Sequence, residues 1–388
     1  MLIKNIIIYI LRNKKNLKKI PLPNFYNKGF IFFKIETKDG VYGFGEPNPY
    51  LGSHGIIERK IINLYIKYFK DKKINAINLN FLKKKIKGNL EKSLISSFQQ
   101  ALFDIHGKYL GKSVSQLLSK NNKSSSKLDL YASGGSIFEN KSYDYLLDEA
   151  ISFKEEGFVG WKFRPKMPLS NLSHQLRINK PPNFNIREVL SFSNKLRKSV
   201  GEKFHLMFDA GCRCKNIKEA KFLIEGLKDL NFLFIEEPIK RNLNKYISLK
   251  KELDKKIDIG AGENFHDYYE FINWIKFDCI DILQPDSNLL LYDELYKIFK
   301  LTKKRNKSLI FHNWCNPINV CSNFSFISSL NQNLITEYNV VINDFYDQFN
   351  INCFKIRKGK ANIIKAPGLG VDLKKNKNNN FLLYEKKV

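Results

Sequence analysis

Residues 203–238 read KFHLMFDAGCRCKNIKEAKFLIEGLKDLNFLFIEEP, and they contain the unit that most of the chain repeats. One apolar run ends at Asp209, a mixed charged and apolar stretch follows, and a second apolar run ends at Glu236. The runs have the length of buried strands, and the stretch between them has the periodicity of an amphipathic helix. Because parallel strands need such a crossover, the unit predicts two parallel strands joined by a helix.

The same unit recurs from about residue 128 to residue 340, and each apolar run stops at polar side chains. The stops lie about 25 residues apart, the length of a strand, a helix and two loops. Seven or eight such units predict an α/β fold of the (β/α)8 barrel type, with its chemistry at the carboxyl ends of the strands. Reactive residues at these ends are Lys162, Arg164, Asp209, Glu236, Glu263, Asp286, His312 and Glu337.

The residues before this repeat have a different character. Residues 29–47 read GFIFFKIETKDGVYGFGEP, which predicts two strands joined by a turn at Asp39 and Gly40. From about Glu91 to Lys120 the apolar residues follow a helical period that is interrupted at Gly111. An α+β unit is therefore expected ahead of the barrel.

Composition restricts the partners. The net charge of +28 comes from lysines spread along the whole chain, without a nucleic-acid-binding motif, so we expect no nucleic acid partner. The apolar run at residues 5–11 is too short to span a membrane, and no membrane association is expected. Six scattered cysteines do not form a disulfide framework, so we expect reduced thiols and a cytoplasmic location.

Three acids end successive predicted strands: Asp209, Glu236 and Glu263. Adjacent strands lie about 5 Å apart, so these carboxylates should converge and repel one another. A divalent cation would relieve the repulsion, and three oxygen donors suit Mg²⁺. Separate salt bridges to lysine and arginine are the alternative.

The next two strand ends carry Asp286 and His312. A carboxylate beside an imidazole fixes its tautomer and raises its basicity, which is typical of general acid–base catalysis. A packed structural histidine is the alternative. On the earlier run GFVGWKFRP, residues 157–165, Lys162 and Arg164 are two positions apart and should point to the same side.

These strand ends resemble those of the enolase superfamily, mandelate racemase subgroup. The motifs that carry the resemblance are FDAG, IEEP, AGEN, QPD, FHNW and TEYN, in this order and spacing, together with ALFDIHGKYLGKSVSQLL at 101–118 and APGLGVDL at 366–373. The resemblance implies a modified, enolase-like barrel with an α+β N-terminal capping domain that the C-terminal tail completes. The implied domains are a cap at 1–127, a barrel at 128–340 and a returning segment at 341–388.

The resemblance also implies roles for the site residues. Asp209, Glu236 and Glu263 would bind one Mg²⁺ per subunit, and the metal would hold a substrate carboxylate and stabilise an enediolate. The His312–Asp286 dyad would supply the base. Glu337 would contact the enediolate as a hydrogen-bonding acid, and an ordinary ion pair at the barrel end is the alternative. Lys162 would hold and polarise the substrate carboxylate. A homo-oligomer is expected as well.

One departure from the family pattern narrows the reaction. Relatives with two-base chemistry carry Lys-x-Lys on the second strand, whereas this chain has Lys162 followed by Arg164. A guanidinium does not give up a proton, so a single base is expected to act alone. This favours a Mg²⁺-dependent hydro-lyase that dehydrates a sugar acid to a 2-keto-3-deoxy acid. The alternatives are a racemase or epimerase of a 2-hydroxy acid, and a catalytically silent metal- or polyanion-binding barrel.

Substrate selection is expected to come from loops around the barrel mouth. Asn48 and Tyr50 lie in a Pro- and Gly-rich loop after a cap strand, and Trp314 follows the predicted base. All three are candidate substrate contacts, although surface exposure or simple packing would also explain them. The insertion at 164–185 starts at the reactive face and would be able to cover part of it, and a disordered surface loop is the alternative.

Overall fold

A computed structural model describes residues 1–13, 29–121, 123–137, 140–166, 184–253, 257–341, 345–374 and 381–388. Most of the insertion at 164–185 lies outside these residues, so its predicted role as a lid stays a prediction. Within the described ranges, no helix has the length and apolar character that a membrane crossing requires.

The elements alternate as the sequence predicts. The strands are β1 (Ile3–Asn13), β2 (Phe30–Thr37), β3 (Tyr42–Gly45), β4 (Lys127–Ser133), β5 (Gly160–Phe163), β6 (His205–Asp209), β7 (Phe232–Glu236), β8 (Asp258–Ala261), β9 (Ile282–Leu283), β10 (Ser308–Leu309), β11 (Ile335–Asn339), β12 (Phe349–Ile351), β13 (Phe354–Arg357), β14 (Lys360–Ile363), β15 (Val371–Leu373) and β16 (Phe381–Lys387). The helices are α1 (His54–Leu64), α2 (Leu79–Lys85), α3 (Asn89–Leu110), α4 (Val114–Leu118), α5 (Tyr145–Glu155), α6 (Ile186–Val200), α7 (Ile217–Lys228), α8 (Leu243–Glu252), α9 (Tyr268–Lys276), α10 (Tyr292–Lys304) and α11 (Pro317–Ser329).

The N-terminal unit is an antiparallel sheet covered by helices. Its strands run in the order β16, β1, β2, β3, and the turn predicted at Asp39 and Gly40 joins β2 to β3. Helix α3 lies directly on β3. A Cβ atom on Gly43 would come within 2.2 Å of the Ala101 carbonyl, and one on Gly45 within 2.3 Å of the Ser97 carbonyl. Only glycine fits this approach of helix to strand.

The predicted break at Gly111 is the end of α3. Gly111 adopts a left-handed conformation with φ of 65°, which suits glycine as the residue after a helix. Leu94, Ile95, Phe98, Ala101 and Leu102 of α3 are buried, and they belong to a core that also contains residues of β1 and β2.

Residues 127–339 form the parallel barrel. Its hydrogen-bonded ladder runs from β11 through β4 and on, strand by strand, to β10. The inside is filled by Tyr131, Met207, Phe234, Ile282 and Ile310, which form a separate apolar cluster. Side chains therefore occupy the barrel centre, and the functional face lies above them at the strand ends.

The C-terminal segment runs back over both parts of the molecule. Strand β14 pairs with the beginning of β4, and β16 pairs with β1 along seven residues of register. In between, the Gly368 carbonyl accepts from Val114 N, and Leu369 N donates to Asp104 Oδ1 at 2.8 Å. The two segments that carried the resemblance at 101–118 and 366–373 are thus in contact. The domain limits at 127/128 and 340/341 stay predictions.

Candidate functional site

The predicted reactive residues surround the carboxyl ends of the barrel strands. Asp209 and Glu236 are the last residues of β6 and β7, and they are paired in register. Glu263 lies two residues beyond β8, Asp286 three beyond β9, and His312 three beyond β10. Strands β9 and β10 have only two residues each. Asp286 and His312, like Glu263, therefore lie on the loops that leave the barrel rather than on the strands themselves.

Lys162 lies between two acids inside the barrel mouth. Its Nζ is 2.5 Å from Glu236 Oε2 and 2.7 Å from Glu337 Oε1, and its side chain is fully buried. Although burial alone would raise the pKa of Glu337, the charges of Lys162, His312 and Arg164 lower it to about 2. Glu337 is therefore an anion here, and donating a hydrogen bond as an acid would require it first to take up a proton. Its role and that of Lys162 toward substrate stay predictions.

Arg164 spreads its donors over three partners. Its Nε donates to Asp209 Oδ2 at 3.0 Å, and its terminal nitrogens donate to the Gly134 carbonyl at 2.8 Å and to Ser133 Oγ at 3.1 Å. The guanidinium also lies 4.5 Å from the ring centre of Trp314. Burial alone would lower the pKa of Arg164, yet Asp209 and the other acids raise it. This geometry suits a permanently charged clamp on an acid.

The three candidate metal ligands are crowded carboxylates. Burial raises the pKa of both Asp209 and Glu236, and the charge of neighbouring acids adds to the effect. Glu236 Oε1 is buried and has no hydrogen-bond partner among the residues that the structure describes, while Oε2 accepts from Lys162. A buried oxygen without a partner is costly, and a cation would satisfy it. These three residues therefore fit a divalent cation with a preference for oxygen.

Lys162 and Arg164 nevertheless hold two of these acids, Glu236 and Asp209. The ligand oxygens of the three acids do not all lie within 4.8 Å of one another. Among the described residues, only Asp286, His312 and Cys315 form a group of three acids, histidines or cysteines that meets this distance. A cation at the three acids would have to compete with both basic side chains.

His312 lies between Glu263, a candidate metal ligand, and Asp286, its partner in the dyad. Its Nδ1 lies 2.8 Å from Asp286 Oδ2, and its Nε2 lies 3.4 Å from Glu263 Oε2. Burial would lower the pKa of His312, but the hydrogen bond to Asp286 and the charges of Glu263 and Glu337 raise it to about 10. One ring nitrogen is thus fixed by a carboxylate, and the other faces a candidate metal ligand.

Asp286 is surrounded by hydrogen-bond donors. Its Oδ1 accepts from Asn288 N at 3.0 Å, Asn319 Nδ2 at 2.7 Å and Asn323 Nδ2 at 3.2 Å. Its Oδ2 faces His312 and also accepts from Cys315 Sγ at 3.3 Å. Burial alone would raise the pKa of Asp286, but the hydrogen bonds from His312 and Asn319 bring it below its ordinary value. Asp286 is therefore an anion with a fixed orientation.

The cap reaches this carboxylate through Asn319. Glu46, which follows β3, is fully buried and accepts from Asn316 N at 3.0 Å and from Asn319 N at 2.9 Å at the start of α11. Gln100 of α3 donates to Asn319 Oδ1 at 2.7 Å. Burial raises the pKa of Glu46 to about 8, even though the two backbone N–H groups lower it. Two cap side chains thus orient a residue that touches Asp286.

The predicted substrate loop has a more structural position than expected. Asn48 is buried, and its Nδ2 donates to Asn288 Oδ1 at 3.3 Å, so it bridges cap and barrel. Tyr50 is half-buried and packs against the large apolar core, as does Trp314 beneath Arg164. Contact of these three residues with a substrate stays a prediction.

Sequence reasoning missed four residues at this site: Glu46, Cys315, Asn319 and Asn323. A signal existed for the asparagines, because Asn316, Asn319 and Asn323 recur at helical spacing in the apolar segment that forms α11. Polar residues in phase on a buried helix indicate a polar partner. Glu46 also resembles the barrel acids, since it directly follows a buried strand.

Comparison with known proteins agrees with the geometry. The family described as "Mandelate racemase / muconate lactonizing enzyme, N-terminal domain" matches residues 8–119, and "Enolase C-terminal domain-like" matches residues 146–377. The D-galactarolactone cycloisomerase of Agrobacterium fabrum is 23% identical over 374 residues, which cover 90% of each protein.

Solved structures have the same fold. The 3,6-anhydro-D-galactonate cycloisomerase of Zobellia galactanivorans superimposes with a TM-score of 0.77 at 24% identity, covering 96% of this chain and 97% of its own. An enolase from the environmental genome sequencing of the Sargasso Sea gives a TM-score of 0.83 at 22% identity, covering 100% and 98%. From these matches, the chain belongs to the mandelate racemase / muconate lactonizing enzyme family of the enolase superfamily.

Proposed function

We propose that the chain is a Mg²⁺-dependent enzyme that removes the proton next to the carboxylate of an acid sugar and then expels an oxygen from the β carbon. Dehydration to a 2-keto-3-deoxy acid is the form of this reaction that we favour. One contact carries the proposal: His312 Nε2 lies 3.4 Å from Glu263 Oε2 while its Nδ1 is held by Asp286. A base oriented by a carboxylate at the edge of a group of acids suits proton removal beside a metal-bound carboxylate.

Each residue has a part in this reaction. Mg²⁺ bound by Asp209, Glu236 and Glu263 would neutralise the charge that develops on the substrate carboxylate. Without a cation, Glu263 and Glu337 help to hold the pKa of His312 at about 10, so the imidazole is protonated. A cation bound by Glu263 would offset that charge. Neutral His312 would then take the α proton on Nε2 and return it to the departing β-hydroxyl, which leaves as water. Asp286 stabilises the imidazolium between these two steps, because it is an anion and cannot rotate away. The enol that remains becomes the 2-keto acid when its hydroxyl proton is lost and the β carbon gains one, so the net change is the loss of one water.

The surroundings of Arg164 favour dehydration over racemisation. A racemase of the two-base type needs a second base on the other face of the substrate. Arg164 stays protonated, and its three donor positions are engaged by Asp209, Gly134 and Ser133. His312 alone is enough for elimination, because the same group can act first as base and then as acid.

A second candidate reaction follows from the name of the Agrobacterium fabrum relative. In a cyclic acid sugar, the β oxygen that departs can belong to the ring, and the ring then opens. His312 would return its proton to that oxygen, so the product would be an isomer of the substrate rather than a dehydrated acid. The same residues serve both reactions, and the substrate's leaving oxygen distinguishes a dehydratase from a cycloisomerase.

The test is a screen of monoacid, diacid, lactone and anhydro sugars with Mg²⁺. Keto acids are trapped with semicarbazide, and mass spectrometry separates loss of water from isomerisation. His312→Asn should lower turnover by about 10²- to 10⁴-fold, the usual contribution of a general base. His106→Asn is the matched control, because this exposed histidine lies on α3 of the cap.

Three outcomes would contradict the proposal. Full turnover by His312→Asn would exclude the single-base mechanism. Deuterium exchange into recovered substrate without any keto acid would favour a racemase or epimerase. Salt-sensitive binding of heparin, with no turnover of any acid sugar and no response to Mg²⁺, would favour a polyanion-binding barrel.

A further inference from the structure

A carboxylate, an imidazole and a thiol meet at the candidate base His312. The cluster, which we call the dyad–thiol cluster, consists of Asp286, His312 and Cys315. Its distances are 2.8 Å from His312 Nδ1 to Asp286 Oδ2 and 3.3 Å from Cys315 Sγ to the same oxygen. All three ligand atoms lie within 4.8 Å of one another, which no other such group among the described residues achieves.

The donor set differs from that of the three acids. Asp209, Glu236 and Glu263 offer only oxygen, which suits Mg²⁺. The dyad–thiol cluster offers one sulfur, one nitrogen and one oxygen, which suits a thiophilic ion such as Zn²⁺. Zinc binds these atoms at about 2.0–2.3 Å, so its ligands lie about 3–4 Å apart, close to the spacing that the cluster already has.

The cluster is also preorganised. Asn288, Asn319 and Asn323 all donate to Asp286 Oδ1, so Oδ2 is left to face the imidazole and the thiol. Asn288 Nδ2 lies 3.8 Å from Cys315 Sγ and donates to it. Partners of this kind orient metal ligands in known sites. Cys315 is 6% exposed and the His312 side chain is 13% exposed, so the cluster is largely shielded from solvent.

We propose that Asp286, His312 and Cys315 form a binding site for a thiophilic divalent cation of the Zn²⁺ type, separate from the three acids. The Cys315 thiol proton and the His312 Nδ1 proton leave to solvent as the bonds from the cation to sulfur and nitrogen form. No electron is transferred. The hydrogen bond from Nδ1 to Asp286 is broken, so a bound cation also removes the partner that orients the base. Only this last effect rests on the proposed function.

Cobalt is the probe that tests binding. The full chain, saturated with Mg²⁺, is titrated with Co²⁺, and a thiolate-to-cobalt charge-transfer band should appear in the near ultraviolet. Zn²⁺ should abolish the band by competition. Cys315→Ser should lose it, with a fall in Zn²⁺ affinity above about 100-fold, because loss of partners one step further out already costs about 10- to 100-fold. Cys212→Ser is the matched control, since Cys212 contacts Glu237 instead.

A second measurement uses the unmodified protein, so it does not depend on whether the variants fold. X-ray absorption at the zinc edge should show one sulfur at about 2.3 Å together with nitrogen and oxygen ligands. A wild-type protein without a charge-transfer band, a band that survives in Cys315→Ser, or a zinc environment without sulfur would each overturn the site. None of these readouts needs a sugar substrate, so failure of the dehydratase proposal would leave them unchanged.

Discussion

Replacing Lys162 by methionine tests whether a cation and this lysine compete for the same acid. Lys162 is fully buried and contacts Glu236 and Glu337 at 2.5 and 2.7 Å. Methionine has similar length and no charge, so both carboxylates would lose their partner without a large change in packing. Removing one member of a buried ion pair usually costs about 3–5 kcal/mol of unfolding free energy. We expect a loss of that size for the variant without metal.

Mg²⁺ should restore much of that loss. At about 100 times its dissociation constant, a ligand that binds only the folded state stabilises it by about 2.7 kcal/mol. In the variant the cation no longer shares Glu236 with an ammonium group, so it should bind more tightly than in the wild type. The added stability from Mg²⁺ is therefore expected to be larger in Lys162→Met than in the unmodified chain.

The assay is urea unfolding of both proteins with Mg²⁺ and with a chelator. Lys83→Met is the matched control, because Lys83 is also buried and pairs with Glu294 at 2.5 Å, between α2 and α10. This control should lose stability without gaining any extra response to Mg²⁺. If Mg²⁺ stabilises Lys162→Met no more than the wild type, Glu236 is not a ligand of the cation.

The pH dependence of unfolding provides a second test of the contact between Lys162 and Glu337. The pKa of Glu337 is about 2 in the folded chain, against an ordinary value of 4.5, and Lys162 is the main charge that lowers it. A lowered carboxyl pKa contributes stability that is present above pH 4.5 and is lost as the pH falls toward 2. The difference in stability between wild type and Lys162→Met should therefore shrink across that window.

Three further predictions address the base, the arginine and the cap. In the metal-free protein, NMR should show the His312 imidazole protonated up to about pH 10. Its raised pKa contributes stability that is fully present below pH 6.5 and is lost as the pH rises through 10. Titration of His312 near pH 6.5 would contradict this. Arg164→Lys supplies a group that can be deprotonated, so deuterium should enter unreacted substrate, whereas unchanged exchange would show that Arg164 does not block a second base. Gly45→Ala should lower the free energy of unfolding in urea by more than about 2 kcal/mol, because its Cβ would lie 2.3 Å from the Ser97 carbonyl. Gly55→Ala is the control: it lies in α1 with open space around it and should raise that free energy by about 0.5–1 kcal/mol. Equal effects of the two substitutions would refute the close-approach explanation.

The barrel and its acids could be predicted from the sequence because the strand ends recur at a regular spacing. Asp209, Glu236 and Glu263 each close an apolar run, and a parallel barrel brings such ends to one face whatever the loops do. The same logic identified Asp286 and His312, which lie 2.8 Å apart. Regular spacing thus predicts which residues meet.

Hydrogen-bond and ion-pair partners that come from distant segments could not be predicted in this way. Nothing in the local pattern around Glu46 indicates that it accepts from the start of α11, because that contact depends on how the cap sits on the barrel. The burial of Lys162 between two acids is another case. Its strand predicts the side to which it points, whereas its partners depend on side-chain packing inside the mouth.

The contact between Glu46 and α11 has a consequence for how such chains can recombine during evolution. A cap borrowed from a relative would bring a different residue to the position of Glu46 or Gln100, and Asn319 would lose the partners that orient it toward Asp286. The inherited unit is therefore larger than either domain. Exchange of whole caps to acquire new substrates should succeed only where this small set of buried polar residues is carried across together.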